Sequence, residues 1–173
     1  MSTIITKKSM NNICDKLIDE MSHVFGNDIK RIKHALEVLD FAEKIQLNEG
    51  GDAFVVRAAA ILHDIGIKEA ERKYNSSAGK YQEIEGSPIA HGILKKYEIP
   101  DDVVEHICKI IANHHSAKNI DSLEFNIIWD ADNIVNLHEE IQNINVDKIQ
   151  KIIEKRFKTK TGYLLARDLF LNN

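Results

Sequence analysis

The chain of 173 residues has little of what marks several common protein classes: two cysteines, two prolines, one tryptophan, and aromatic residues at 6% of the whole. Cys14 and Cys108 stand far apart among apolar neighbours, which excludes a zinc ribbon or a Cys-x-x-Cys redox pair. They read as small core residues in a reducing compartment. No apolar run approaches the roughly 20 residues of a membrane span. The N-terminal MSTIITKKSMNN lacks the apolar stretch of a signal peptide, so the expectation is a cytosolic protein. Alternation of apolar and polar residues at a period of two is also missing, and with it any signal for strands. A net charge of -4 supplies no long-range attraction for nucleic acid or an anionic membrane. The expected partner is therefore a small ligand rather than nucleic acid or membrane, and local basic residues suffice to grip a small phosphate.

What the chain does have is apolar residues at three- and four-residue steps almost from end to end. Met10, Ile13, Cys14, Leu17, Ile18, Met21 and Val24 predict a first helix, stopped by Gly26. A second runs from its N-cap Asp28 to Gln46 and is closed by Gly50-Gly51. The third starts at Asp52 and continues through FVVRAAAILHD to Gly66. It is apolar on nearly every face, as the central helix of a bundle would be. Residues 67 to 86, with Asn-Ser-Ser and two glycines, predict one long, mostly irregular connection. Ser87-Pro88 then predict a helix start leading to Tyr97, and Pro100-Asp101 another through VVEHICKIIANHH. A sixth helix carries FNIIWDADNIVNLHEEI, and segments 147 to 157 and about 161 to 172 complete the scaffold. The fold class is all-α, a helical bundle or orthogonal array of helices, in one domain over residues 1–173.

His63-Asp64 stands at the end of the most apolar helix, and a buried carboxylate without a partner costs several kcal/mol or more. Asp64 therefore meets either local donors, as a cap or a His-Asp pair, or a cation. His34 shares an apolar stripe with Val38, Phe41 and Ile45. His114 follows Val103, Ile107 and Ile110, and His115 follows Val104, Cys108 and Ile111, each at helical steps. Asp130 and Asp132 interrupt the apolar run IIWDADNIV, and periodicity alone leaves open which of them faces the site. Imidazoles and carboxylates converging on one core are what a metal explains. Mixed His/Asp ligands suit divalent iron, manganese, cobalt, nickel or zinc, and the absence of cysteine ligands argues against structural zinc.

The order His34, His63-Asp64, His114 and a later Asp resembles the H...HD...H...D pattern of the HD-domain superfamily of metal-dependent phosphohydrolases. The strings HDIG, ANHH and ADNIVNL sit at fitting distances across about residues 30–140. The resemblance implies an HD-like bundle holding one or two divalent transition-metal ions. His34, His63 and the late Asp would bind the first ion, Asp64 would bridge, and His114 with His115 would serve the second. The family's Ala-Asp followed by an apolar residue two further on matches Ala131-Asp132-Asn133-Ile134, which selects Asp132 over Asp130. Where many two-metal relatives have a histidine opening a short helix, aligning the turn YEIPDDVV places Glu85 and leaves His91 on a helix surface. His23, His106 and His138 fall outside the motifs and read as surface or packing residues.

The implied activity is hydrolysis of a phosphate ester by a metal-activated water, with His63 and Asp64 as the catalytic pair. The substrate is expected to be a nucleotide or related small molecule, dinucleoside polyphosphates among them. Lys68, just after HDIG, and Lys80 are the expected phosphate-binding cations, or else solvated loop lysines. Two other classes remain: a metal-binding sensory or interaction module without turnover, and a diiron oxygenase.

Overall fold

A computed structural model of the protein describes residues 7–142 and 144–172, except for the side chains of residues 7 and 8. Residues 1–6, which open the segment lacking a signal-peptide core, lie outside the described residues. Nine helices and no strand occur among the described residues. They are α1 (Lys7–Phe25), α2 (Ile29–Glu49), α3 (Ala53–Leu62), α4 (Ile67–Tyr74), α5 (Gly79–Leu94), α6 (Asp101–Ile111), α7 (Leu123–Glu140), α8 (Val146–Arg156) and α9 (Lys160–Leu171). Among the described residues, no helix is long and apolar enough to cross a membrane.

Helix starts follow the capping residues. The carboxylate of Asp28 accepts from the Arg31 N–H and that of Asp52 from the N–H groups of Phe54 and Val55. Ser122, Asn145 and Thr159 cap α7, α8 and α9 in the same way. Each cap satisfies donors the first helical turn leaves free. Gly26, at φ 59, ends α1 by bonding its N–H to the Ser22 carbonyl, a conformation that favours glycine.

α3 is the axis of the molecule. Eight of its ten residues are buried, and it packs against α1, α2, α6 and α7. Cys14 and Cys108 are buried free thiols within this core, and burial pushes the Cys14 thiol up to about 11. Both are packing residues.

The largest departure from expectation is the stretch 67–86. Apart from the linker at 75–78 it is helical: α4 fills 67–74, and α5 begins at Gly79 and runs straight through Ser87-Pro88. Asn75, left-handed at φ 50, ends α4 by bonding its N–H to the Glu71 carbonyl, which is what an Asn at this position does well. Pro88 does not start a helix. The carbonyl it leaves without a helical donor belongs to Ile84, on an exposed part of α5, where water replaces the lost N–H. Packing of α5 against α4 and α6, with Gly86 seated against Gly66 and Ile111, outweighs the local signals of Asn-Ser-Ser, glycine and proline.

Gly66 is needed for a reason other than helix termination. A Cβ there would lie 2.4 Å from both the Gln82 carbonyl oxygen and the Gly86 nitrogen, so the turn after α3 and the body of α5 touch backbone to backbone. Gly66→Ala is expected to force the two apart at a cost of about 2 kcal/mol. Thermal denaturation should show this as a drop of roughly 6 °C. An unchanged melting temperature would contradict the close approach.

Candidate metal centre

Four elements deliver the site. α2 presents His34, and the end of α3 presents His63 as its C-cap with Asp64 next in the following turn. The turn after α6 carries His114 and His115, and the middle of α7 carries Asp132. The two histidines after α6 are not helical, because α6 stops at Ile111 and Ala112 caps it. That turn is held from α5 by Glu83, whose carboxylate accepts the N–H groups of His115 at 3.0 Å and Ser116 at 2.7 Å.

The donor atoms form two adjacent groups. His34, His63 and Asp132 make one, and Asp64, His114 and His115 the other, each with its ligand atoms within 4.8 Å of one another. His34 Nε2 lies 3.1 Å from Asp132 Oδ1 and 3.3 Å from His63 Nε2. Asp64 spans both groups. Its Oδ2 is 3.5 Å from His34 Nε2 and 3.4 Å from His63 Nε2, while its Oδ1 is 3.4 Å from His114 Nε2. Ligand atoms ~2.1 Å from a common ion stand about 3 Å apart at right angles and somewhat more in a tetrahedron, so these separations fit a metal.

Two ring orientations strengthen the fit. His63 Nδ1 lies 2.8 Å from the Ala60 carbonyl and His114 Nδ1 lies 2.7 Å from that of Ile111. A carbonyl only accepts, so each Nδ1 carries a proton and each Nε2 points into the cluster, where it can serve as the metal-binding nitrogen. Asn136, one turn after Asp132, donates to its Oδ1 at 2.9 Å and orients it. Burial pulls the His63 pKa down, but Asp64 and Asp132 outweigh it and lift the imidazole to about 9. Burial pushes the Asp64 carboxyl up, and His63 with His114 overrides that and holds it well below the usual range. The carboxylates thus favour a cation at His63 Nε2, either a proton or a metal ion that displaces it.

The structure separates the two aspartates of α7. Asp132 joins the cluster. Asp130 faces α9, where its oxygens accept from Lys158 N–H at 2.8 Å and from Thr159 N–H and Oγ1–H at 2.7 Å each. Glu85 is not in either group. Its carboxylate accepts from Lys73 Nζ at 2.7 Å and Tyr74 hydroxyl at 2.8 Å, and Lys73 above all holds it below the ordinary carboxylate range. Because α5 is a helix from Gly79 onward, Gln82 one turn earlier takes the place beside the histidines, its Oε1 3.0 Å from His115 Nε2. An irregular 67–86 segment hides that register. His91 is exposed on α5, and His23 is exposed on α1.

A cavity of about 760 Å³ opens over the cluster, lined in part by His34, Asp64, Gln82, His115 and Asp132. Its cations are Lys30, Arg31 and Lys33 from the first turns of α2. Neither Lys68 nor Lys80 lines it: the Lys68 ammonium lies near Gly26 and the Lys80 ammonium rides over the Tyr81 ring at 4.5 Å. Lys30 pairs with Glu139, and Arg31 with Glu71 and Asp28. Lys33 has no carboxylate within ion-pair distance among the described residues. Phe41, Ile134, Val135 and Leu169 supply an apolar wall. His138, without motif context, also lines this cavity and packs on Phe170 with ring centroids 5.8 Å apart. His106 sits elsewhere, bonded to Ser122 Oγ at 2.9 Å.

The HD domain family model matches residues 31–137, a span holding every member of both ligand groups. The chain belongs to the HD domain family. Two curated relatives, the proteins named Ribonuclease Y from two strains of Thermus thermophilus, are each 32% identical over 110 residues. That alignment covers 62% of this chain but 16% of each relative's length. A solved structure described as a predicted HD superfamily hydrolase from an uncultured Thermotogales bacterium superposes with a TM-score of 0.65 at 23% identity. It covers 89% of this chain and 83% of that one, and shares the fold.

Proposed function

We propose that the protein is a metal-dependent phosphohydrolase acting on a phosphate ester of a nucleotide or related small molecule. The observation that carries this is the pair of ligand groups joined by Asp64, with the Nε2 atoms of His63 and His114 pointed into the cluster by their Nδ1 bonds. The chemistry a divalent transition metal supplies there is Lewis-acid activation of water and neutralisation of phosphate charge. His34, His63 and Asp132 would hold one ion, and Asp64 with His114 and His115 a second where two are bound. Asn136 keeps Asp132 aimed, and Gln82 orients His115.

The cavity supports the substrate class. Its volume lies in the range of small-molecule sites, with cations along one edge for phosphate and Phe41, Val135 and Leu169 along another for an apolar or flat group. Lys33 and Arg31 take the phosphate-binding role in place of Lys68 and Lys80.

The test is phosphate release from metal-loaded protein with manganese, cobalt, nickel or anaerobic iron. Nucleoside mono-, di- and triphosphates, cyclic nucleotides and dinucleoside polyphosphates form the substrate set. Because the curated relatives are named for ribonuclease action, a short RNA belongs in it with its scission products read separately. Metal-dependent turnover of at least one member is expected. Metal-loaded protein that turns over none of them would overturn the reading and leave a binding module.

A further inference from the structure

The average charge of -4 conceals a second site. A shallow groove of about 700 Å³ runs along α8 and the linker to α9. Lys148, Lys151 and Lys155, at steps of three and four residues, share one face of α8 and line it together with Arg156 and Lys158. Among the described residues, no carboxylate lines the groove. Asp147 and Glu154, four residues before and three after Lys151, border the row on one side by helical spacing without lining the groove. Arg156 is paired with Glu140 at 2.9 Å, whereas Lys148, Lys151 and Lys155 have no carboxylate within ion-pair distance among the described residues. The three ammonium groups are therefore open to a polyanion laid along the row.

Two aromatic residues line the groove. Trp129 and Phe157 are half-buried there, and the Trp129 indole N–H donates to the Arg156 carbonyl at 2.9 Å, which fixes the ring. The Lys158 ammonium lies 5.2 Å from that ring's centroid. We infer that this groove is a binding site for a single strand of nucleic acid, its phosphates tracked by the lysine row and a base packing against the half-buried Trp129 or Phe157. Rows of cations beside aromatic platforms are how such strands are held without sequence preference. The lysines from 148 to 155 extend over roughly 10 Å of helix axis, so the cations are spread along a line rather than converging on one small anion. The apolar groups of the groove, Trp129, Ile152 and Phe157, are all partly buried and so are not placed to enter a lipid surface. The inference does not depend on the proposed hydrolysis.

Trp129 is the sole tryptophan, so its emission reports on the groove directly. In EDTA, which prevents metal-dependent turnover, a 12-nucleotide oligouridylate titrated into the full chain should change Trp129 emission saturably. Affinity should fall with salt, with a log–log slope of about -3 for four contacts. Lys151→Glu combined with Lys155→Glu should weaken binding at least about tenfold and flatten the slope by about 1.4, with an unchanged melting temperature. Fluorescence anisotropy of the labelled oligonucleotide gives the same affinities independently. Absence of binding, undiminished binding in the double variant, equal affinity for inorganic triphosphate, or binding to phosphatidylserine vesicles in place of the oligonucleotide would each overturn the inference.

Discussion

Asp64→Ala is expected to strip the protein of bound metal and to lower phosphate release on the order of 1000-fold. Its carboxylate faces three imidazole nitrogens at 3.4 to 3.5 Å and touches both ligand groups, so one substitution weakens both. Loss of a residue that merely orients a ligand costs about 10- to 100-fold in affinity or activity, and loss of a shared ligand should cost more. The substitution also removes the strongest counter-charge to His63, whose imidazole the neighbouring carboxylates lift to about 9. Elemental analysis after gel filtration, paired with turnover of the best substrate, measures both effects. His23→Ala, on the exposed face of α1, should retain the wild-type metal content. Full metal stoichiometry in Asp64→Ala would remove this residue from the centre.

The neighbouring contrast lies on α7. Asp130→Ala is expected to destabilise the fold by about 4 kcal/mol while leaving the metal content of the folded protein intact. Three donors converge on this carboxylate, and two of them, the N–H and hydroxyl of Thr159, are buried. Deleting the acceptor strands them at about 1 to 3 kcal/mol each. Burial raises the Asp130 pKa despite these bonds, so ionisation is itself opposed there. Asp130→Asn, which keeps one accepting oxygen and buries no ionised group, should cost less than the alanine. The site is tightly closed: a Cβ on Gly162 would sit 2.4 Å from Asp130 Oδ2. Asp132→Ala should do the reverse, lowering metal content through loss of its contact to His34 at 3.1 Å and sparing much of the stability. Urea denaturation and metal analysis on the two variants separate these roles, and matching profiles would refute the division.

The helical character of the chain and most of its motif residues were legible because both are written in local spacing. Three- and four-residue apolar steps repeat wherever a helix has one face to bury, and the capping residues Asp28 and Asp52 mark starts through bonds to their own next turn. His34, His63, Asp64, His114 and Asp132 stand out because polar groups in apolar runs must be compensated.

Where tertiary packing overrode local signals, the reading failed. Asn-Ser-Ser, two glycines and Pro88 speak for a loop over 67–86, yet α5 forms because it packs against α4 and α6 with Gly86 seated against Gly66. That shift of register exchanged Glu85 for Gln82 beside His115 and moved Lys80 onto Tyr81. The cations of the cavity come from the start of α2, since its lining is set by which helices meet over the histidines and not by proximity to HDIG in sequence.

Sequence by itself determined that the chain is helical and which imidazoles and carboxylates needed partners, because helix periodicity and the cost of burying charge act over a few residues. Only the tertiary structure decided that Asp64 joins two ligand groups, that Asp130 anchors α9 while Asp132 faces His34, and that five cations on α8 and its linker form a groove. Each of these depends on which faces of distant helices meet, and that is settled by packing around α3.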